Sequence, residues 1–326
     1  MITRCVAALL AAAVLAAANT LAAAAQQAEG SLGIRLVDAP VERRNDPRAH
    51  RSIVDHVAPG AVIQRRVEVV STLTDPVAVR LYPGAAEIRD GSFLPSDERN
   101  QLVSWIEVEP STVRLAPGER AQATVRIAVP RDASSGERYA VVWAELPPRG
   151  ENIQVVNRVG VRVYLSVGPG GEPATDFTVE SLTASRGSHG RPTVQAQVTN
   201  LGGRALDLVG ELTLTEGPAG LTAGPFPAQT GTTIAPGQSA PVTVVLDTAL
   251  PDGPWRARLE LRSGELVRAA EATITFPAQA AAQQPPVEAE MTPVDPQKRV
   301  LVALAVALIV LTLIALAGYR WWARRV

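Results

Sequence analysis

From Leu32 to Phe276 apolar residues recur at every second position, segment after segment, and that period admits one kind of element. A strand turns successive side chains to opposite faces, so a period of two gives one face to a core and the other to water. Leu32, Ile34 and Leu36 open the series; Ile63, Val67 and Val69 follow, then Val77, Val79 and Leu81. Ala121, Ala123, Val125, Ile127 and Val129 interleave with Gln122, Thr124 and Arg126. Val159, Val161, Val163, Leu165 and Val167 interleave with Arg158, Arg162, Tyr164 and Ser166. No stretch between Gln26 and Pro277 carries a helical period, so this part of the chain is expected to be all-β.

The strands come with a repeated turn. Leu115-Ala116-Pro117-Gly118-Glu119 leads into a strand holding Thr124-Val125, and Ile234-Ala235-Pro236-Gly237-Gln238 leads into one holding Thr243-Val244. Ala58-Pro59-Gly60 makes a third such turn. Proline presets φ and glycine accepts a positive φ, so Pro-Gly delivers the chain tightly into the next strand. The repetition predicts two tandem immunoglobulin-like β-sandwiches, over 31–168 and 173–277, joined by the apolar-free linker Gly168-Pro169-Gly170-Gly171-Glu172-Pro173. The second is read as a seven-strand sandwich with Leu212, Leu214, Val242, Val244, Leu246, Leu259, Leu261, Ile274 and Phe276 in its core. Residues 278–297, rich in Ala, Gln, Pro and Glu, read as a stalk. Extended like polyproline at ~3.1 Å per residue, it would reach up to roughly 60 Å.

The two ends supply an address. Arg4 precedes an Ala/Leu/Val run from Val6 to Ala18, with Ala23 and Ala25 offering a small-residue cleavage site, so 1–25 is read as a secretory signal peptide. Residues 300–319 are apolar except for Thr312, and 20 residues at ~1.5 Å rise span roughly 30 Å, the hydrocarbon thickness of a bilayer. This predicts a C-terminal transmembrane helix, and Arg320, Arg324 and Arg325 make 320–326 a basic cytoplasmic tail. The protein is thus expected in the plasma membrane as a single-pass chain with its N-terminal domains extracellular. Cys5, the only cysteine, lies in the signal segment, so no disulfide or thiolate chemistry is expected. Six of the 31 basic residues lie at the ends (Arg4, Lys298, Arg299, Arg320, Arg324, Arg325), leaving 25 against 32 acidic ones, a net of −7. An acidic exported part argues against nucleic acid as a partner.

Catalytic signatures are missing, and the expectation is a protein that is not an enzyme and holds no metal or cofactor. His50, His56 and His189 are the only histidines; Asp55-His56 is the one acid/base or metal candidate, without a His-Glu-x-x-His or Gly-x-Ser-x-Gly frame. Glu42 to Arg51 is dense in charge, and an arginine such as Arg48 presents a fork that pairs carboxylates bidentately, while a solvated loop laced with local ion pairs is the plainer alternative. Tyr82, Phe93 and Trp105 near the Asp90-Gly91 turn offer flat faces for a sugar ring, whereas Trp105 and Trp143 are better read as packing residues. Arg48, Asp55, His56, Tyr82, Asp90, Phe93 and Trp105 are therefore the candidate ligand-binding residues.

The order Asp46-Pro47-Arg48, Ile53-Val54-Asp55-His56, Ala58-Pro59-Gly60, Arg66-Val67-Glu68-Val69, Asp90-Gly91-Ser92-Phe93, Leu115-Ala116-Pro117-Gly118 and Val129-Pro130 with Gly136-Glu137 and Tyr139 resembles the N-terminal domain of WxL-interacting proteins, in an actinobacterial form. The resemblance implies a first domain bound to peptidoglycan, a second that displays a further surface protein, and anchoring in the membrane by the C-terminal helix. The Gly-Gly pair of the better-known members is not evident, and no ligand-contacting residue carries over. The alternative is a chaperone or adhesin component that captures another chain by strand addition at a sandwich edge; it requires a long exposed edge strand without proline, arginine or a bulge.

Overall fold

The computed structural model describes residues 30–148, 156–247, 250–278 and 281–293. The expected signal peptide (1–25), transmembrane helix (300–319) and basic tail (320–326) lie outside them. Among the described residues no helix is long and apolar enough to cross a membrane.

Strands dominate, as the alternation requires, and they gather into sandwich-like sheets in two compact units. The first unit runs to Thr175 and takes in Gly202–Asp207 and Thr233–Gly237 as well. One of its sheets has the order β1 (Leu32–Leu36), β3 (Val62–Ser71), β8 (Arg120–Ala128), β6 (Ile106–Glu109). The other has the order β2 (Ile53–Val57), β10 (Arg158–Val167), β9 (Gly136–Glu145), β4 (Val77–Arg89), β5 (Ser92–Ser96), with β7 (Thr112–Leu115) also on β4. All pairs are antiparallel except β2, which lies parallel to β10. The core between the sheets is built from the alternating residues: Leu36, Val67 and Val69 of β1 and β3, Val125 and Ile127 of β8, Leu81 of β4, Val142 of β9 and Val163 of β10. A five-residue α-helix, α1 (Gln101–Trp105), interrupts the strands. Asn100 caps it by accepting the Val103 N–H at 3.1 Å and ties it down by donating to the Tyr139 carbonyl at 2.8 Å.

The second unit holds β11 (Phe177–Arg186), β12 (Pro192–Asn200) and β17 (Ser239–Val245) in one sheet, and β15 (Ala223–Pro227), β14 (Val209–Thr215), β18 (Gly253–Ser263) and β19 (Leu266–Phe276) in another. The two-residue strands β13 (Leu206–Asp207) and β16 (Thr233–Ile234) pair with each other and belong to the first unit. All nine residues expected in the second core are buried, and so is Trp255, at 1 % exposure. Gly118 and Gly237, the glycines of the repeated turn, both take positive φ (76° and 71°).

The stalk expectation needs correction. Within 278–297, β20 (Val287–Glu288) adds to β11 and β21 (Glu290–Thr292) adds to β19, with Ala289 buried between them. The chain is already bound to this unit before that, because Arg186 N–H donates to the Ala282 carbonyl at 2.9 Å and Gln284 N–H to that of Ala184 at 2.9 Å. One run thus covers an edge of each sheet, where unpaired N–H and C=O groups would otherwise recruit another chain. A chain ending at Ala278 is expected to unfold about 2–4 kcal/mol more easily in urea than one ending at Pro293, at roughly 0.5–1 kcal/mol for each hydrogen bond lost. Equal midpoints would mean that the added strands contribute nothing.

Candidate functional site

A sheet with one face in the core has a second face to account for. In the first unit the outer face of the β2-β10-β9-β4-β5 sheet is not polar. Val54, Ala86, Phe93, Val141 and Tyr164 form a second buried cluster on it with Ala205, and Ile88, Tyr139 and Trp143 pack alongside. The face divides into a covered half and an open half.

The covered half is an aromatic triad under a net of charges. Phe93 and Tyr139 meet edge to face at 6.2 Å, Tyr139 and Tyr164 at 5.9 Å, and Phe93 lies 5.2 Å from Tyr164. The Arg48 guanidinium sits over Tyr164 at 5.0 Å, and that of Arg162 over Phe93 at 4.8 Å. Asp207 gathers the net: it accepts from the Tyr164 hydroxyl (3.0 Å) and the Thr233 hydroxyl (2.7 Å), and Arg48 Nε lies 3.0 Å from its Oδ2. Arg48 Nη1 donates to the Ala205 carbonyl at 2.9 Å. Glu137 accepts from the Tyr139 hydroxyl at 2.8 Å and the Ala205 N–H at 2.6 Å, with Arg204 Nε 3.8 Å away. Arg204 also pairs with Glu172, whose other oxygen meets Arg43 at 2.5 Å. Burial pushes the Glu137 carboxyl above its ordinary value, against its hydrogen bonds and the nearby guanidinium groups. Burial lowers Arg204 to about 10, which leaves it charged at neutral pH.

The open half is smaller and more accessible. Trp143 of β9 lies across the sheet over two glycines of the neighbouring strands. A Cβ on Gly84 would come 2.5 Å from its Nε1, and one on Gly160 would come 2.8 Å from its Cε3. The exposed Arg158 covers the indole at 4.5 Å, and the exposed Arg80 covers Tyr82 at 4.5 Å. Glu145 holds the first of these stacks from the side, accepting from Arg80 Nη2 at 2.6 Å and from the Tyr82 hydroxyl. Burial alone would raise Glu145, but those two donors hold it below its ordinary value. Burial and the Glu145 carboxylate push the Tyr82 hydroxyl up. A cleft of about 420 Å³, lined by Ser31, Thr74, Asp75 and Asn157 among others, opens beside Arg158.

The sequence candidates fall as follows. Phe93 and Arg48 meet on Tyr164, and Tyr82 lies on the same sheet face at the open half. Trp105 stands apart, packed on the main core with Arg138 over its ring at 5.0 Å. Asp90 occupies the exposed β4–β5 turn at φ 50°. Tyr82, Phe93, Trp105 and the 42–56 loop therefore do not converge on one exposed patch. Arg48 spends its fork internally, so its loop is neither a free carboxylate receptor nor purely solvated. Asp55 and His56 are neighbours in a strand and project to opposite faces: Asp55 is buried on Arg65 at 2.5 Å, while His56 Nδ1 meets the Ser166 hydroxyl at 3.0 Å. Among the described residues no group of three or more acidic, His or Cys side chains could hold a metal ion. Arg80, Glu145 and Arg158 escaped the sequence reading. Trp143 was read there as a packing residue, yet it lies on the outer face and not between the sheets. Isolated glycines in strands, Gly84 and Gly160, were the available signal.

Gly84→Ala is expected to lift the indole and destabilise the unit by about 1–3 kcal/mol, as overpacking does. In a Trp143→Ala background the same change should be nearly free, and a full loss there would place the clash elsewhere.

No protein-family model matches the sequence, and no curated protein is significantly similar to it. Its chain path is similar to that of the E. coli chaperone DraB (11% identity, 80% of this chain and 97% of that one, TM-score 0.39). It is also similar to the Pseudomonas aeruginosa CupB2 chaperone (12%, 69% and 98%, 0.38) and to a structure of the Salmonella enterica SafA pilin in complex with the SafB chaperone (12%, 76% and 95%, 0.37). These similarities are too distant to assign a family or an activity.

Proposed function

We propose that the chain is a non-enzymatic protein of the cell envelope, two tandem immunoglobulin-like sandwiches anchored by a membrane helix at 300–319, as in WxL-interacting proteins. Its first unit binds peptidoglycan on the open half of the outer face, and the protein displays a further surface protein. The observation that carries this reading is the pair of exposed guanidinium groups, Arg80 and Arg158, laid on Tyr82 and Trp143, with Glu145 as the counter-charge of Arg80. Stacking holds each fork flat and leaves N–H edges outward, the geometry that takes a carboxylate bidentately. Wall stem peptides end in carboxylates, and their glycan rings suit the rim of a flat aromatic surface. Residues 26–297 are expected to be retained on isolated sacculi, in a salt-sensitive way. Retention no greater than that of an unrelated β-sandwich would end the peptidoglycan reading.

Capture of another exported chain by strand addition is the second reading, and one feature favours it. Among the described residues most edge strands have no more than five residues or carry proline: Pro95 in β5, Pro225 and Pro227 in β15, Pro241 in β17. The strand β2 contains neither proline nor arginine and is paired on one side only, but it has five residues, four of them buried, and so meets the requirement for a long exposed edge only in part. A Val54→Pro or His56→Pro change that abolished partner capture while sparing sacculus binding would favour this second reading.

A further inference from the structure

The cleft beside Arg158 is lined by one charge of each sign, Asp75 and Arg158 itself. It opens at one end of the first sandwich, where β3 passes to β4 through Thr74 and Asp75 and where β9 runs out next to Leu146 beside the start of β10. At about 420 Å³ it has the volume of a small-ligand site. Asp75 is exposed and makes no hydrogen bond or ion pair among the described residues. Arg158 stands in one cross-strand row with Glu145 and Arg80, but Glu145 is engaged by Arg80 and the Tyr82 hydroxyl. Among the described residues Arg158 forms no ion pair either, so the two charges share a cleft without meeting each other.

That pattern selects among ligand groups. A neutral sugar would leave both charges to solvent, and a group with two carboxylates would be repelled by Asp75. A group with an ammonium and a carboxylate answers both. We infer that the cleft takes the head of an α-amino acid, its carboxylate on Arg158 and its ammonium on Asp75, presented as the free side-chain end of a diamino diacid in a stem peptide that has not been cross-linked. This inference rests on the peptidoglycan reading above and deepens it. An ammonium has three donors, and the Thr74 hydroxyl and the Asn157 side-chain carbonyl line the same cleft as further acceptors. Leu73, Leu146 and Val159 give it an apolar side on which the methylene arm of such a residue can lie. Cross-linking converts the ammonium to an uncharged amide, so the site would favour wall that is still open.

The full chain in detergent is tested on diaminopimelate-type sacculi before and after acetylation of their free amines. Acetylation is expected to lower retention of the wild-type chain about 10-fold, the loss of one charge-assisted hydrogen bond. Asp75→Asn should bind untreated sacculi about 10-fold more weakly and lose nothing further on acetylation. Asp132→Asn, an equal change of charge in the exposed turn before β9, should behave as wild type. Undiminished retention of the wild type after acetylation, or equal losses in wild type and Asp75→Asn, would overturn the inference and leave peptidoglycan binding standing. A loss from Asp132→Asn matching that from Asp75→Asn would reduce the effect to bulk charge and overturn it as well. No retention on untreated sacculi would remove the peptidoglycan reading and this inference together. In solution, a disaccharide-tripeptide ending in meso-diaminopimelate is expected to bind about 10-fold more tightly than free meso-diaminopimelate, because its sugar rings also reach Tyr82 and Trp143. Equal affinities would make a free amino acid the ligand and overturn the stem-peptide end.

Discussion

Replacing Glu137 by alanine is expected to destabilise the first unit by about 3–5 kcal/mol, the usual penalty for leaving a buried charge without its partner. Arg204 is 3% exposed and burial does not discharge it, and Glu172, another of its partners, is more exposed than Glu137. The Tyr139 hydroxyl and the Ala205 N–H would each lose an acceptor in the same step. Glu137→Gln keeps an acceptor for both and should lose less. In the double variant Glu137→Leu/Arg204→Met the loss should fall short of the sum of the single ones, since neither charge is then stranded. Urea unfolding followed by tryptophan emission reads all of these, and a shift below about 1 kcal/mol for Glu137→Ala would show that this carboxylate does not hold the net together.

The same carboxyl sets part of the pH dependence. Its folded-state pKa lies above the ordinary 4.5, so folding is helped by its proton: the contribution is fully present below 4.5 and lost as pH rises through the raised value. Glu145 and Glu271 behave in the opposite sense. Burial works against both, but the Tyr82 and Arg80 donors on Glu145, and Arg258 and Arg256 on Glu271, hold them below 4.5, so their contribution is present above that value and lost as pH falls through the lowered one. Acidification from pH 7 to about 5 is therefore expected to leave stability level or slightly raised, with the loss confined to lower pH. Glu137→Gln should flatten the upper part and leave the acid limb in place.

How much of this was legible in the residues depends on the kind of force. Alternation records which face of a strand is dry, and so the cores of both units were readable, down to Leu212 against Leu259. The same parity held more than was taken from it. Val142 and Ala144 point inward, which places Trp143 between them on the outer face, and the step from Asp55 to His56 separates those two side chains across the sheet. The net around Asp207 and Glu137 is a different matter, because burial of a charge is a tertiary property and Glu137 lies far from Arg204 in the chain. Residues 281–293 also misled, since their hold on the second unit comes from backbone hydrogen bonds and sheet-edge pairing, to which a composition of Ala, Pro and Glu gives no clue.

Arg158→Ala is expected to weaken retention on sacculi about 10-fold, in keeping with the ~1.5–3 kcal/mol carried by a hydrogen bond to a charged group. The side chain is exposed and rests on Trp143, so its removal should change stability by less than about 0.5 kcal/mol. Arg158→Lys keeps the charge but loses the planar fork, and should recover little of the binding. For Arg80 the lysine change is the cleaner probe, because Glu145 is 7% exposed and would be left with the Tyr82 hydroxyl alone if the charge were removed. Arg80→Lys with Arg158→Ala is expected to lower retention about 100-fold if the two forks act independently. Arg126→Ala, on the other sheet of the same unit, changes the net charge equally and should have no effect. Equal losses from Arg126 and Arg158 would reduce the interaction to bulk charge, and undiminished binding in the double variant would remove the open half of the outer face as the site.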